Sequence, residues 1–175
     1  GYSIINDSGM AINLTGNTAL TLIDGSEAQT GKISASNYPF YMEDETTLTV
    51  KGGTLESTGR NVIIHAGGAS LALTGGTLSN KSEGLLYSDI SHMTGTVSLS
   101  SYPDPEGITI RQETASDIPA SAYGLTGGYG FYPVDQSTGE TIANYSETVT
   151  RYDYYIVGKV PVARVIMGGL NYDYS

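Results

Sequence analysis

Thr47-Leu48-Thr49-Val50-Lys51-Gly52-Gly53-Thr54-Leu55 and Ser70-Leu71-Ala72-Leu73-Thr74-Gly75-Gly76-Thr77-Leu78 are one nine-residue pattern met twice, 23 residues apart. The pattern extends in both directions. Ile5, Ile33, Leu55 and Leu78 are each followed seven residues later by a large apolar residue, Ile12, Phe40, Val62 and Leu85. These lead after eight, eight, nine and twelve residues to Leu20, Leu48, Leu71 and Val97, each opening an apolar-polar-apolar triplet that ends at Leu22, Val50, Leu73 or Leu99. Taking Ile108 as a fifth start, the units begin 28, 22, 23 and 30 residues apart. Self-similarity at such a period belongs to stacked repeats, in which each unit buries its apolar side chains only against its neighbours.

Within a unit, stretches such as Lys32-Ile33-Ser34-Ala35 and Ser70-Leu71-Ala72-Leu73 alternate with period two and are too short for helices, so they read as strands. Gly9, Asn37, Gly59 and Ser82 fall at one shared turn, where positive φ is cheapest for Gly or Asn, and the Gly-Gly pairs at 52–53 and 75–76 mark a second. Three short strands and three turns per unit predict an all-β, right-handed, single-stranded parallel β-helix of about four to six coils. An antiparallel sandwich has no need of offsets repeated unit after unit. Stacking predicts three core columns: Ile5, Ile33, Leu55, Leu78 and Ile108; then Ile12, Phe40, Val62 and Leu85; then Leu22, Val50, Leu73 and Leu99. Leu14, Met42, Ile64 and Tyr87 share the inward side of the second column, and Tyr41, Ile63 and Leu86 face out. Two insertions, 23–31 and 100–107, interrupt the turn after the third strand.

From Tyr123 onward the composition changes, with nine of the 14 Tyr there. Coils over 1–122 followed by an irregular final coil and a capping hairpin over 123–175 is the predicted organisation, the hairpin turning at Gly158-Lys159. Ile5 is already a repeat position, so adjoining domains of a longer chain are expected.

Eighteen acidic against eight basic side chains disfavour nucleic acid and anionic membrane surfaces as partners. No run approaches the roughly 18 apolar residues of a spanning helix, so no membrane insertion is expected. The absence of Cys excludes disulfides and thiolate metal sites. Much Gly and Tyr, with two Phe and no Trp, suits short strands and an extracellular kind of surface.

Chemistry is sparse. A glycosidase needs two positioned carboxylates and a lyase needs a cation site and a base. Glu43-Asp44-Glu45 is the densest acidic run and offers two or three of the six or more oxygens Ca²⁺ wants, so it is a weak Ca²⁺ candidate; no other cofactor is predicted. Asp24 and Glu27, and Asp104 and Glu106, lie in the insertions. His65 and His92 stand in non-equivalent positions and read as surface or turn histidines. No nucleophile elbow or phosphate loop is present, so no catalytic residue is assigned. Tyr38, Tyr41 and Tyr102 are the candidate ligand-binding residues, because a flat aromatic ring among polar groups stacks on a sugar face.

The two Gly-Gly-Thr-Leu stretches resemble the parallel β-helix repeats of secreted or cell-surface, adhesin-like proteins of gut-type bacteria, and the segment 117–125 looks like one that closes such arrays. The resemblance covers roughly 1–130. It implies a secreted or cell-surface protein that meets polysaccharide or a host or bacterial surface protein, by adhesion, by glycan binding or as a stalk. No catalytic residue carries over. The alternative reading is a divergent β-helix polysaccharide lyase or glycoside hydrolase acting on acidic or plant or host polysaccharide.

Overall fold

The computed structural model describes residues 2–65, 67–82, 86–92, 95–112, 118–125, 128–143, 148, 153–161, 163–167 and 170–174. The chain is all-β apart from one 3-10 helix, Ala120–Tyr123, among those residues. Successive strands are dealt in turn to three sheets. The first holds β1 (Ser3–Asn6), β4 (Lys32–Ala35), β7 (Thr54–Ser57) and β10 (Thr77–Asn80). The second holds β2 (Ile12–Leu14), β5 (Phe40–Met42), β8 (Ile63–His65), β11 (Ile90–His92) and β13 (Thr109–Gln112). The third holds β3 (Ala19–Leu22), β6 (Thr47–Val50), β9 (Ser70–Leu73) and β12 (Thr96–Ser98). Every pairing within these sets is parallel.

The register follows the repeat with three corrections. Ile33, Leu55 and Leu78 are paired as predicted, but Ile4 rather than Ile5 stands opposite Ile33, and Ile5 is exposed. Ile108 is buried yet has no place in the first sheet, because the chain passes from β12 directly to β13. In the second sheet Ile12 and Phe40 pair as predicted, and then Ile63, not Val62, meets Phe40. The turn 58–62 is one residue longer than its counterpart 36–39. With side chains alternating, one extra residue sends Ile63 and His65 inward and Ile64 outward. Val62 is buried all the same, just ahead of the strand. Leu85 lies outside the described residues; Ile90 pairs with Ile63, and Leu86 and Tyr87 precede the strand. The third column stands as predicted: Leu22, Val50 and Leu73 are in register, and Leu99 is buried.

The turn chemistry also differs. Gly9, Asn37, Gly59 and Ser82 are not among the positive-φ residues. Side chains close three of these turns instead: Asn6 Oδ1 accepts the Ser8 N–H at 3.0 Å, Ser57 Oγ the Arg60 N–H at 2.9 Å, and Asn80 Oδ1 the Ser82 N–H at 3.1 Å. Asn6, Ser57 and Asn80 occupy one register position at the end of first-sheet strands. The second turn does need glycine: Gly53 and Gly76 sit at φ 82° and 87°.

Past β13 the second sheet changes direction. β15 (Tyr154–Lys159) runs antiparallel to β13, and β14 (Tyr129–Pro133) antiparallel to β15. Gly158-Lys159 is therefore inside a strand, with Gly158 opposite Gly130, and not a hairpin turn. The antiparallel pair that follows is β16 (Ala163–Met167) with β17 (Leu170–Tyr174). The 3-10 helix lies beside β12, where the Leu99 N–H donates to the Tyr123 carbonyl at 2.6 Å. Phe40, Leu48, Leu55, Leu73, Ile90 and Ile110 are fully buried, and each such side chain contributes about 1.5–3 kcal/mol.

Candidate functional site

The outward side of the second sheet carries one register row, Asn13, Tyr41, Ile64, Ser91, Arg111 and Tyr154. The inward neighbours Phe40 and Met42 are fully buried, so Tyr41 is held on a rigid strand with its side chain pointing away from the core. Tyr38, in the turn before β5, brings its ring to 5.8 Å from that of Tyr41, tilted by 38°. Both rings are half-buried, each leaving part of its surface open. Asn13, one strand away, donates from Nδ2 to Glu43 Oε1 at 3.2 Å. Farther along the row the Arg111 guanidinium lies 5.8 Å from the centre of the Tyr154 ring. The row thus carries an aromatic pair with an amide and a carboxylate at one end and a Tyr–Arg contact at the other, separated by Ile64 and the buried Ser91.

Tyr102 is not part of that strip. Its hydroxyl donates to the Gly76 carbonyl at 2.9 Å, at the corner between the third and first sheets, and burial pushes its phenol above the usual range. Tyr38 and Tyr41 are thus brought together, while Tyr102 holds a turn.

The acidic run is divided among different partners. Asp44 Oδ1 accepts the Gly68 N–H of the next unit at 2.5 Å and the Glu45 N–H at 3.1 Å. Glu45 takes a left-handed φ of 61°, and Glu43 holds Asn13. Among the described residues, Asp44 of the three binds across to the next unit's turn, so the run stitches two units at a corner. In the first insertion Asp24 accepts bonds from the Ser26 hydroxyl and N–H and from the Gly31 N–H, which hold its carboxyl below the usual range. In the second, Asp104 accepts the Glu106 N–H at 3.2 Å, and Glu106 meets Lys159 at 3.4 Å. Among the described residues no three His, Asp or Glu side chains gather as a metal-ligand set.

Three features escaped the sequence reading. His65 and His92 are core residues, not surface ones, both nearly fully buried on adjacent strands with ring centres 5.1 Å apart. Burial lowers both, His92 to about 4, and the two Nδ1 atoms have no hydrogen-bond partner. The one-residue shift at β8 put His65 on the wrong face in the sequence reading. Second, Glu56 lies on the outer side of the first sheet yet is buried, with Lys32 Nζ at 2.8 Å, Lys81 Nζ at 2.5 Å and Ser34 Oγ at 3.1 Å. The register pairs Glu56 with Ser34 and Lys32 with Thr54, a signal available once the strands were aligned.

Third, a cleft of about 430 Å³ opens beside β10, where the first sheet has no fifth strand. Leu78, Asn80, Tyr87, Asp89, Thr109 and Ile156 line it. Burial pushes the Asp89 carboxyl up to about 7, against a Thr109 N–H at 3.4 Å. Asp89 is the carboxyl among the described residues that line it.

No protein-family model, curated protein or solved structure matches the chain.

Proposed function

We propose that the three parallel sheets are the faces of a right-handed parallel β-helix, and that the chain is a non-catalytic glycan-binding module of a bacterial secreted or cell-surface protein. The observation that carries the binding reading is the Tyr38–Tyr41 pair, two half-open rings 5.8 Å apart, Tyr41 on the outward row of the second sheet and Tyr38 in the turn before it. A sugar ring presents an apolar C–H face to such a platform and hydroxyls to the Asn13 amide and Glu43 carboxylate beside it. Ring contacts of this kind contribute about 0.5–1.5 kcal/mol each beyond the area they cover. The acidic surface directs the module to neutral rather than anionic polysaccharide.

A glycan array tests this. Reproducible binding to neutral polysaccharide that falls about tenfold in Tyr41→Ala and in Tyr38→Ala, with far-UV circular dichroism unchanged, is the expected result. Release of reducing ends from any polysaccharide, or binding indifferent to both substitutions, refutes it.

A further inference from the structure

The first sheet stops one unit short. β10 is its last strand, and among the described residues the chain runs from β12 in the third sheet to β13 in the second without supplying a fifth. The cleft beside β10 occupies the corner so left, between that strand and the start of β13. Its volume of about 430 Å³ lies toward the low end of small-molecule sites, which run from roughly 300 to 1,000 Å³. The floor is fixed by hydrogen bonds. The Asp89 N–H donates to Thr109 Oγ1 at 2.8 Å, that hydroxyl donates to the Tyr87 carbonyl at 3.2 Å, and Asn80 Nδ2 donates to the same carbonyl at 3.0 Å.

Three properties of the wall point to one ligand chemistry. The first is a carboxyl with no cation beside it. Asp89 Oδ2 accepts the Thr109 N–H at 3.4 Å, and Oδ1 has no hydrogen-bond partner among the described residues. Lys81, next to the lining residue Ser82, is engaged by Glu56, and Lys159, three residues past Ile156, by Glu106. Burial pushes the carboxyl up to about 7, with Thr109 as the group that acts the other way. A carboxylate drawn out of water is normally paired with a cation. The second property is a set of hydroxyls: Ser79, Ser82 and Tyr87 line the cleft, and theirs make no hydrogen bond to the described residues. The third is carbon, from Leu78, Leu86 and Ile156. A neutral sugar leaves the carboxylate unpaired, and an alkylamine leaves the hydroxyls unanswered. A sugar ring that carries an ammonium meets all three, and a chain of net charge −10 attracts it.

We propose that this cleft binds a single amino sugar, its ammonium on Asp89, its hydroxyls on Ser79, Ser82 and Tyr87, and the C–H face of its ring against Leu78 and Ile156. The cleft is built from other residues than the Tyr38–Tyr41 pair, so the inference goes beyond the binding role above and does not rest on it.

Titration of the isotope-labelled chain with glucosamine, glucose, N-acetylglucosamine and butylamine, followed by NMR, tests it. Glucosamine should bind at least about tenfold more tightly than each of the other three, with amide shifts gathered at 78–82, 86–89 and 107–109. Asp89→Asn, which keeps the size of the side chain and an oxygen for the Thr109 N–H, should abolish that preference. Ser79→Ala removes a hydroxyl that has no partner in the fold; it should weaken glucosamine about threefold, and it serves if circular dichroism shows Asp89→Asn unfolded. Tyr41→Ala should leave glucosamine binding unchanged, which separates this cleft from the aromatic pair. Equal affinity for glucose or for butylamine, shifts gathered elsewhere, a preference that survives in folded Asp89→Asn, binding lost in Tyr41→Ala, or no shift in millimolar glucosamine overturns the proposal.

Discussion

Replacing Glu56 by Gln isolates the strongest charge arrangement on the first sheet. The carboxylate is almost wholly removed from water, 6% exposed, and is bracketed by Lys32 from its own side of the sheet and Lys81 from beyond β10. Lys32 first and Lys81 second hold its pKa down from the usual 4.5 to about 2, against burial, which acts the other way. A displacement of that size is worth at most about 3.4 kcal/mol. The lysine side chains are 34% and 59% exposed, so solvent screens both pairs and about 1–2 kcal/mol is the expected net effect. The folded value is depressed, so the stabilisation is present in full above the unfolded value near 4.5 and is lost as pH falls through about 2. Urea unfolding of the chain and of Glu56→Gln, repeated from pH 7 down to pH 2, measures it. Glu56→Gln should unfold at lower urea at pH 7 with an unchanged slope, and the two curves should converge toward pH 2. High salt should shrink the gap at pH 7, because the lysine ends are in solvent. No gap at pH 7, or a gap that persists to pH 2, refutes the reasoning.

His92→Phe should flatten a second, higher acid window. Burial lowers both histidines, and for His92 the stabilisation is present in full above about 6.5 and is lost as pH falls through about 4, which the same urea series resolves from the Glu56 window. Gly76→Ala should cost about 1–3 kcal/mol, because φ is 87° and a Cβ there would meet the Gly53 carbonyl at 2.8 Å. Gly9→Ala, with nothing within 4 Å, should stay within about 0.5 kcal/mol, and urea unfolding at pH 7 measures both glycine variants.

Much of the architecture was legible because stacking imposes one constraint many times. Leu48, Leu71 and Val97 must repeat because each sits on the last, and so the third column could be read directly. The errors fall where the spacing changes by a single residue. Nothing in Ser57-Thr58-Gly59-Arg60-Asn61-Val62-Ile63 says whether Val62 or Ile63 opens the strand, since both are apolar and both end up buried. The strand's period of two then turns that ambiguity into an inversion of every following side chain, which hid the histidine pair. Turn conformation was misread for a related reason. Asn and Ser can close a turn by their own side chains as well as by left-handed backbone, and Asn6, Ser57 and Asn80 use the former. Of the candidate site, the Tyr38–Tyr41 pair was legible from their spacing around one strand start. Tyr102 was not, because its fate depends on a turn carbonyl 26 residues earlier.

Polar groups enter the interior of the second sheet toward the end where its pairing turns antiparallel. Along its inner row Leu14 and Met42 give way to His65, His92 and Gln112. Rings then continue where the parallel strands stop: His92 to Tyr123 at 5.4 Å, Tyr123 to Phe131 at 5.1 Å, and Phe131 to Tyr155 at 6.1 Å. Flat rings at about the spacing of adjacent strands carry the stack across the switch from parallel to antiparallel pairing, where aliphatic columns lose their register. The imidazoles take part while neutral, and burial keeps them so. The cap is therefore joined to the stack through the core as well as through backbone bonds.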